Sequence, residues 1–218
     1  FIMANPPFNL KDWRGQDELT SDYRWNGYEV PPVSNANYAW ILHMLSKLKN
    51  DGVAGFLLAN GALSAGGDEY KIRKQLIEND KIEAIIVLPR EMFYYTDISV
   101  TLWIMRQHKK ERVIYRDGEK ATLRNRENEI LFMDLRRMNE NISEDKTVYF
   151  TEEQINKIKN VYHSWQSPEY RNTYHDVAEF SKSVSLETIK ENDYSLVPSK
   201  YIEFVDRDLD IDFDKEMT

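Results

Sequence analysis

The sequence predicts an α/β fold: a mostly parallel sheet with an antiparallel edge strand, followed by a helical and extended C-terminal region. Three observations carry this. Two nearly continuous apolar runs, Gly52-Val53-Ala54-Gly55-Phe56-Leu57-Leu58-Ala59-Asn60 and Ile82-Glu83-Ala84-Ile85-Ile86-Val87-Leu88, have the composition of strands buried on both faces. Segments with apolar residues at helical spacing alternate with these runs across short connections, which is the order of a crossover sheet. The first apolar stretch, Phe1-Ile2-Met3-Ala4, stops abruptly at Asn5-Pro6-Pro7-Phe8, because a proline cannot donate to a sheet ladder.

Taken in order, the opening strand ends before Pro6. Each proline pushes its predecessor toward extended geometry, so Asn5 and Pro6 leave the sheet as a stiff turn. Residues 9–33 mix Trp13, Tyr23, Trp25 and Tyr28 with Lys11, Arg14 and Arg24 and lack periodicity. Such a loop either lines a binding pocket or is pinned over the sheet by its aromatics. A helix is predicted over 34–49, with Tyr38, Ile41, Leu42, Leu45 and Leu48 on one face, Ser34 or Asn35 capping and Gly52 ending it. His43 within it reads as a packing or surface residue. A second helix is expected over 69–78 after Gly66 and Gly67, and Pro89 halts the strand over 82–88.

The link from Pro89 to the next strand, over 99–106, is too short for a crossover helix. The two strands are therefore expected as an antiparallel hairpin at the sheet edge. Residues 112–124 suggest a second hairpin about Asp117-Gly118, and residues 129–135 another strand, the two forming a sheet extension or flap. Arg106, His108, Lys109, Lys110, Arg112, Arg124, Arg126, Arg136 and Arg137 form a basic cluster, either a phosphate-facing strip or, slightly favoured, a solvated edge protected by charge. Thr151-Glu152-Glu153-Gln154 has the form of a capping box opening a helix with Ile155, Ile158, Tyr162 and Trp165. A short strand over 180–185, a helix capped by Ser185 and an extended segment over 194–204 complete the chain. Residues 203–218 carry seven acids against Arg207 and Lys215, the composition of a solvated tail.

Composition narrows the chemistry. The 218 residues include 13 Tyr, 9 Phe and 5 Trp, enough aromatic surface for a sizeable core. With no Cys, disulfides, thiolate metal sites and cysteine nucleophiles are excluded; four scattered His make a His-based metal site improbable, and no metal is expected. No apolar run is long enough to span a bilayer and no signal-peptide pattern opens the chain, so no membrane contact and a cytoplasmic location are expected. The net charge of −8 is unusual for a protein that grips DNA phosphates unaided. Because Phe1 opens inside a strand, further residues are expected upstream.

Asn5, Pro6, Pro7 and Phe8 are the candidate catalytic residues. An exocyclic amine on a planar base is a poor nucleophile, its lone pair being drawn into the ring. Two acceptors, the Asn5 side-chain oxygen and the Pro6 carbonyl, can hold its hydrogens and return electron density to nitrogen. Phe8 can stack on the base, and Pro7 stiffens the turn, so catalysis is chiefly orientation. The bland alternative is a strand ending in a Pro-Pro turn with Asn5 as a local cap.

Asn5-Pro6-Pro7-Phe8 resembles the motif of S-adenosylmethionine-dependent amino-methyltransferases acting on adenine N6. The stretch Leu88-Pro89-Arg90-Glu91-Met92-Phe93-Tyr94-Tyr95-Thr96, then Ile98-Ser99-Val100-Thr101-Leu102-Trp103-Ile104, is similar to modification subunits of type I restriction–modification systems. So is Tyr194-Ser195-Leu196-Val197-Pro198-Ser199-Lys200-Tyr201.

The resemblance implies the C-terminal part of a Rossmann-like methyltransferase sheet. It implies methyl transfer to adenine N6 in DNA, with a base flipped out of the duplex. The implied partners are DNA, a specificity subunit and a restriction subunit, in a hetero-oligomer. It divides the chain into a catalytic-motif half, 1–137, and a C-terminal region, 138–218, that contacts other subunits.

The family's Gly-rich cofactor loop is expected upstream, and Gly66-Gly67 follows the wrong strand to replace it. Asn5 is the one weak cofactor contact expected here, so the 218 residues alone should neither hold S-adenosylmethionine tightly nor methylate DNA. Methylation of a protein glutamine or an RNA base, and a non-catalytic module docking a specificity subunit, remain the alternatives.

Overall fold

The structure, a computed structural model, describes residues 1–93, 98–116 and 118–204. Tyr94, Tyr95, Thr96, Asp97, Asp117 and the acidic run from residue 205 onward lie outside the described residues.

Six strands form one sheet in the order β1 (Ile2–Ala4), β2 (Val53–Ala59), β4 (Val100–Arg106), β3 (Ile82–Val87), β7 (Glu129–Asp134) and β8 (Ser181–Ser185). β1 runs parallel to β2, and β3 parallel to β7, while β4 is antiparallel to both β2 and β3. Four of the six strands thus point the same way, and β8, antiparallel to β7, supplies the antiparallel edge. The expected fold class holds.

The position of one strand differs from expectation. β4 pairs antiparallel with β3, as the short link requires, but it is inserted between β2 and β3 instead of lying at the rim. Its sequence explains the position: Val100, Thr101, Trp103 and Met105 are all buried, and an edge strand could not cover such a face. β5 (Arg112–Arg116) and β6 (Glu119–Leu123) form the expected hairpin as a separate two-stranded sheet, whereas β7 extends the main sheet.

One face of the sheet is covered by α1 (Asn37–Lys47) and α2 (Gly67–Glu78). Tyr38, Ile41, Leu42, Ile72 and Leu76 pack there on Phe56, Leu58, Ile85 and Trp103. The predicted helical face of α1 is therefore the buried one. The helix starts at Asn37 with Ala36, not Ser34 or Asn35, at its N-cap and no side-chain cap there; the Asn35 side chain, one residue earlier, accepts the Asn37 N–H at 2.9 Å. α3 (Glu152–Gln166), opened by the predicted Thr151–Gln154 capping box, lays Trp165 against Ala84, Ile86, Leu131 and Met133 on the other face. β3 is buried on both faces as predicted. β2 alternates instead: Ala54, Phe56 and Leu58 are buried, whereas Val53, Gly55 and Leu57 are half-buried.

After β8, Ser185 caps α5 (Leu186–Glu191) by accepting from the Thr188 N–H. Residues 194–204 are compact, not extended. A 3₁₀ turn, Pro198–Lys200, folds the segment so that Leu196, Tyr201 and Ile202 enter the core beneath α2. Arg73, 2% exposed, clamps it by donating to the carbonyls of Tyr194 (2.9 Å) and Ala65 (2.6 Å).

Candidate active site

The parallel strands bring their carboxyl ends to one rim of the sheet. Ligands bind at such rims in open α/β sheets. β1 reaches it at Ala4 and then leaves as Asn5-Pro6-Pro7, with Phe8 and Asn9 forming a turn. Asn5 and Pro7 are exposed; Pro6 and Phe8 are half-buried. The Asn5 carboxamide is therefore open to solvent and the Phe8 ring is not lost in the core.

β1 is an edge strand, paired only with β2 among the described residues, and its side chains split sharply between its two faces. Ile2 and Ala4 pack on the core, whereas Phe1 is fully exposed and Met3 is 91% exposed. Cavities of 980 and 830 Å³ open elsewhere, one between α3 and residues 177–180, the other beside the start of β1 and β5.

The long segment 9–33 is pinned onto the sheet. Trp13 and Trp25 meet edge-on at 6.1 Å, and their indole N–H groups donate to Pro32 and Leu19 carbonyls, both at 2.7 Å. Arg14 donates to the carbonyls of Gly15, Gln16, Glu18 and Pro31. Arg24 is engaged by Asp22 at 2.8 Å. That contact holds the Asp22 carboxyl down to about 2. Both arginines brace the loop, so the pinned-loop reading fits them better than a DNA-lining one. His43 lies against Arg24 (3.3 Å), and burial with the adjacent cations Arg24 and Lys47 pushes its pKa below the usual range.

The basic cluster is divided between the interior and the surface, so neither a strip nor a solvated edge describes the whole of it. Arg106, Lys109 and Arg126 are buried. Arg106 and Arg126 flank the fully buried Glu83 at 3.2 and 3.3 Å, and Gln166 donates to the same carboxylate at 2.7 Å. Burial raises the pKa of Glu83, but Arg126, Arg106, Gln166 and Lys109 outweigh it and leave the carboxyl below its ordinary value. Lys109 turns to Asp80 at 2.5 Å and to the carbonyls of Ile82 and Glu129. Arg124 pairs with Glu129, Arg136 with Asp134, and Arg137 with Glu179. His108, Lys110, Arg136 and Arg137 are exposed. Glu83 was legible only as a charge interrupting an apolar strand, a signal that a buried counterion is needed.

Sequence reasoning also missed the set that holds the far end of the Pro-Pro turn. Asn9 sits at φ 53°. Its N–H donates to Asn37 Oδ1 at 3.0 Å, and Asn37 Nδ2 donates back to Asn9 Oδ1 at 2.9 Å.

Gly66-Gly67 opens α2 after the 3₁₀ turn Asn60–Leu63 that follows β2, not after the strand that carries Asn5. No group of His, Asp or Glu suited to a metal occurs among the described residues. None of their helices is long and apolar enough to cross a membrane.

The mixed α/β sheet, with the Asn5-Pro6-Pro7-Phe8 turn at the carboxyl end of β1, has the methyltransferase fold. The chain belongs to the N-6 DNA Methylase family, which matches residues 1–209. It is 38% identical over 206 residues to the type I restriction enzyme HindI methylase subunit of Haemophilus influenzae, covering 93% of this chain and 41% of that protein. It is 34% identical over 221 residues to the MjaIX methylase subunit of Methanocaldococcus jannaschii, covering 100% of this chain and 37% of that protein. The fold matches the type I restriction–modification methyltransferase subunit from Streptococcus thermophilus with a TM-score of 0.75 at 28% identity, covering 93% of this chain and 38% of that one. The EcoKI M protein shares the fold at 17% identity and a TM-score of 0.58. The chain thus spans about two fifths of the length of these relatives.

Proposed function

We propose that this chain is the base-holding part of an enzyme that methylates adenine N6 in DNA within a type I restriction–modification complex. The observation that carries the reading is the exposed Asn5 carboxamide beside the half-buried Phe8, on a proline-stiffened turn at the carboxyl rim. Asn5 Oδ1 and the Pro6 carbonyl each accept one hydrogen of the amine, Phe8 stacks on the extruded base, and Pro7 fixes the angle between them. No side-chain base is required, because the amine loses its proton after it has reacted. S-adenosylmethionine supplies the methyl group in this reading. The contacts that hold it belong mainly to a Gly-rich loop elsewhere in the longer polypeptide, with Asn5 a minor contact.

Family membership supports DNA adenine over a protein glutamine or an RNA base. The acidic balance of the chain supports a division of labour in which a specificity subunit reads the DNA and a restriction subunit completes the assembly. Residues 138–218 are assigned to subunit contact; Ile142, Tyr149, Ile155 and Val177 are exposed there, apolar surface that a neighbouring subunit would cover.

The test is Asn5→Ala in the complete subunit assembled with its specificity partner. Methylation of duplex DNA should be lost while the complex still forms. Methylation at the unsubstituted rate would remove Asn5 from the mechanism and the reading with it.

A further inference from the structure

We propose that Asn9 and Asn37 lock the angle of the Asn5–Phe8 turn, which makes Asn37 a positioning residue for the amine-holding site. The inference rests on the function proposed above and extends it to a residue that touches neither base nor cofactor.

The turn has few means of holding itself. Pro6 and Pro7 have no N–H to donate, so the path of the segment is set by what fixes its two ends. At one end, Ala4 is registered against Phe56 of β2. At the other, Asn9 adopts the left-handed conformation with φ 53°, a basin that asparagine tolerates better than most residues. Its partner there is a buried carboxamide. Asn37, 1% exposed, accepts from the Asn9 N–H through Oδ1 (3.0 Å) and donates through Nδ2 to Asn9 Oδ1 (2.9 Å).

Two bonds between the same two residues restrain rotation as well as distance. Asn35 closes the set, donating to Asn9 Oδ1 at 3.3 Å and accepting the Asn37 N–H at 2.9 Å. One residue further on, the Ala36 N–H donates to the Leu10 carbonyl at 2.9 Å.

The anchor is rigid. Asn37 opens α1, and the next residue, Tyr38, is fully buried with its hydroxyl on the Ala62 carbonyl at 2.7 Å. A buried amide is costly unless its donor and acceptor are both used, and Asn9 uses one of each. Phe8 thus takes its angle from a helix seated in the core, and the amine acceptors are held ahead of it.

The experiment uses the full-length subunit in its complex and compares Asn9→Gly, Asn37→Ala and the double variant. Asn9→Gly keeps the left-handed backbone and its N–H while deleting the side-chain acceptor, so it remains informative should Asn37→Ala fail to fold. The rate constant for methyl transfer on preformed enzyme–DNA–cofactor complex should fall about 10- to 100-fold in each, with cofactor and DNA affinity retained within about threefold.

The double variant should be no slower than the slower single, because one lock is broken once. A merely structural role would lower thermal stability and the folded fraction but not the rate constant of the folded complex. A wild-type rate constant in Asn9→Gly, or effects that multiply in the double variant, would overturn the proposal. Asn5→Ala run alongside separates the two levels. If Asn5→Ala is inactive and Asn9→Gly is normal, the lock alone fails. If Asn5→Ala methylates normally, the function reading fails first.

Discussion

Glu83 gives the sharpest prediction about stability. It sits on β3 with no exposed surface, flanked by Arg106 at 3.2 Å and Arg126 at 3.3 Å, and neither guanidinium reaches bulk water freely. At such separations, with an effective dielectric near 20, each pair is worth about 5 kcal/mol of Coulomb attraction, or about 10 for both. Desolvation cancels most of that. Replacing Glu83 by Gln preserves shape but leaves the two cations facing a neutral amide, and breaking a buried ion set in this way costs about 3–5 kcal/mol. With a urea slope of about 2 kcal/mol per molar, the midpoint should move down by about 1.5–2.5 M.

The pH dependence has a definite sign. The folded-state pKa of Glu83 lies below its ordinary value, so its contribution is fully present above the unfolded carboxyl's pKa and is lost as the pH falls through the folded one. Urea unfolding of Glu83→Gln should therefore lack part of the acid-side decline seen in the unsubstituted protein. A midpoint shift below about 0.3 M, or an identical acid limb in both proteins, would show that Glu83 is not the counterion of this centre.

Two further perturbations test how the chain is closed and how it meets DNA. Arg73→Met removes a charged donor from the Tyr194 and Ala65 carbonyls, so it should cost about 2 kcal/mol and raise amide exchange across 194–202 before the rest of the sheet opens. Uniform protection would refute the clamp. Duplex DNA binding by this chain without partners should be weak, with a log–log salt slope shallower than about −3, because the chain carries a net charge of −8. A slope near −8 would place a phosphate track on this surface.

The strands and helices that bury a face were legible because periodicity and apolar runs report burial directly. Tyr38, Ile41 and Leu42 on α1, and the run through Ile85 and Ile86, lie where the sequence puts them. Capping chemistry was equally plain at Thr151 and Ser185, since local spacing alone determines a cap. What the sequence did not reveal depends on pairing between distant segments. β4 could be read as the antiparallel partner of β3, but its insertion beside β2 rests on contacts with residues some 40–50 positions away. The compact path of 194–204 likewise depends on Arg73, more than a hundred residues earlier. The motif of the site was legible at Asn5 to Phe8. The Asn9–Asn37 pair that braces it was not, because a pair of asparagines 28 positions apart carries no local signature.

The inward turn of the cations also changes the meaning of the charge balance. Among the described residues, Arg106, Lys109 and Arg126 are spent inside, on Glu83, Asp80 and backbone carbonyls, while Arg14 and Arg24 brace the loop after the motif. These cations are therefore committed to contacts within the chain, whose net charge is −8. A net charge of that sign does not favour long-range attraction to a polyanion. On the function proposed above, other protein would bring the base to the Asn5–Phe8 turn. On that view the buried basic centre is what keeps β3, β4 and the β5–β6 hairpin together, and the rim is free to serve one short contact at Asn5 to Phe8.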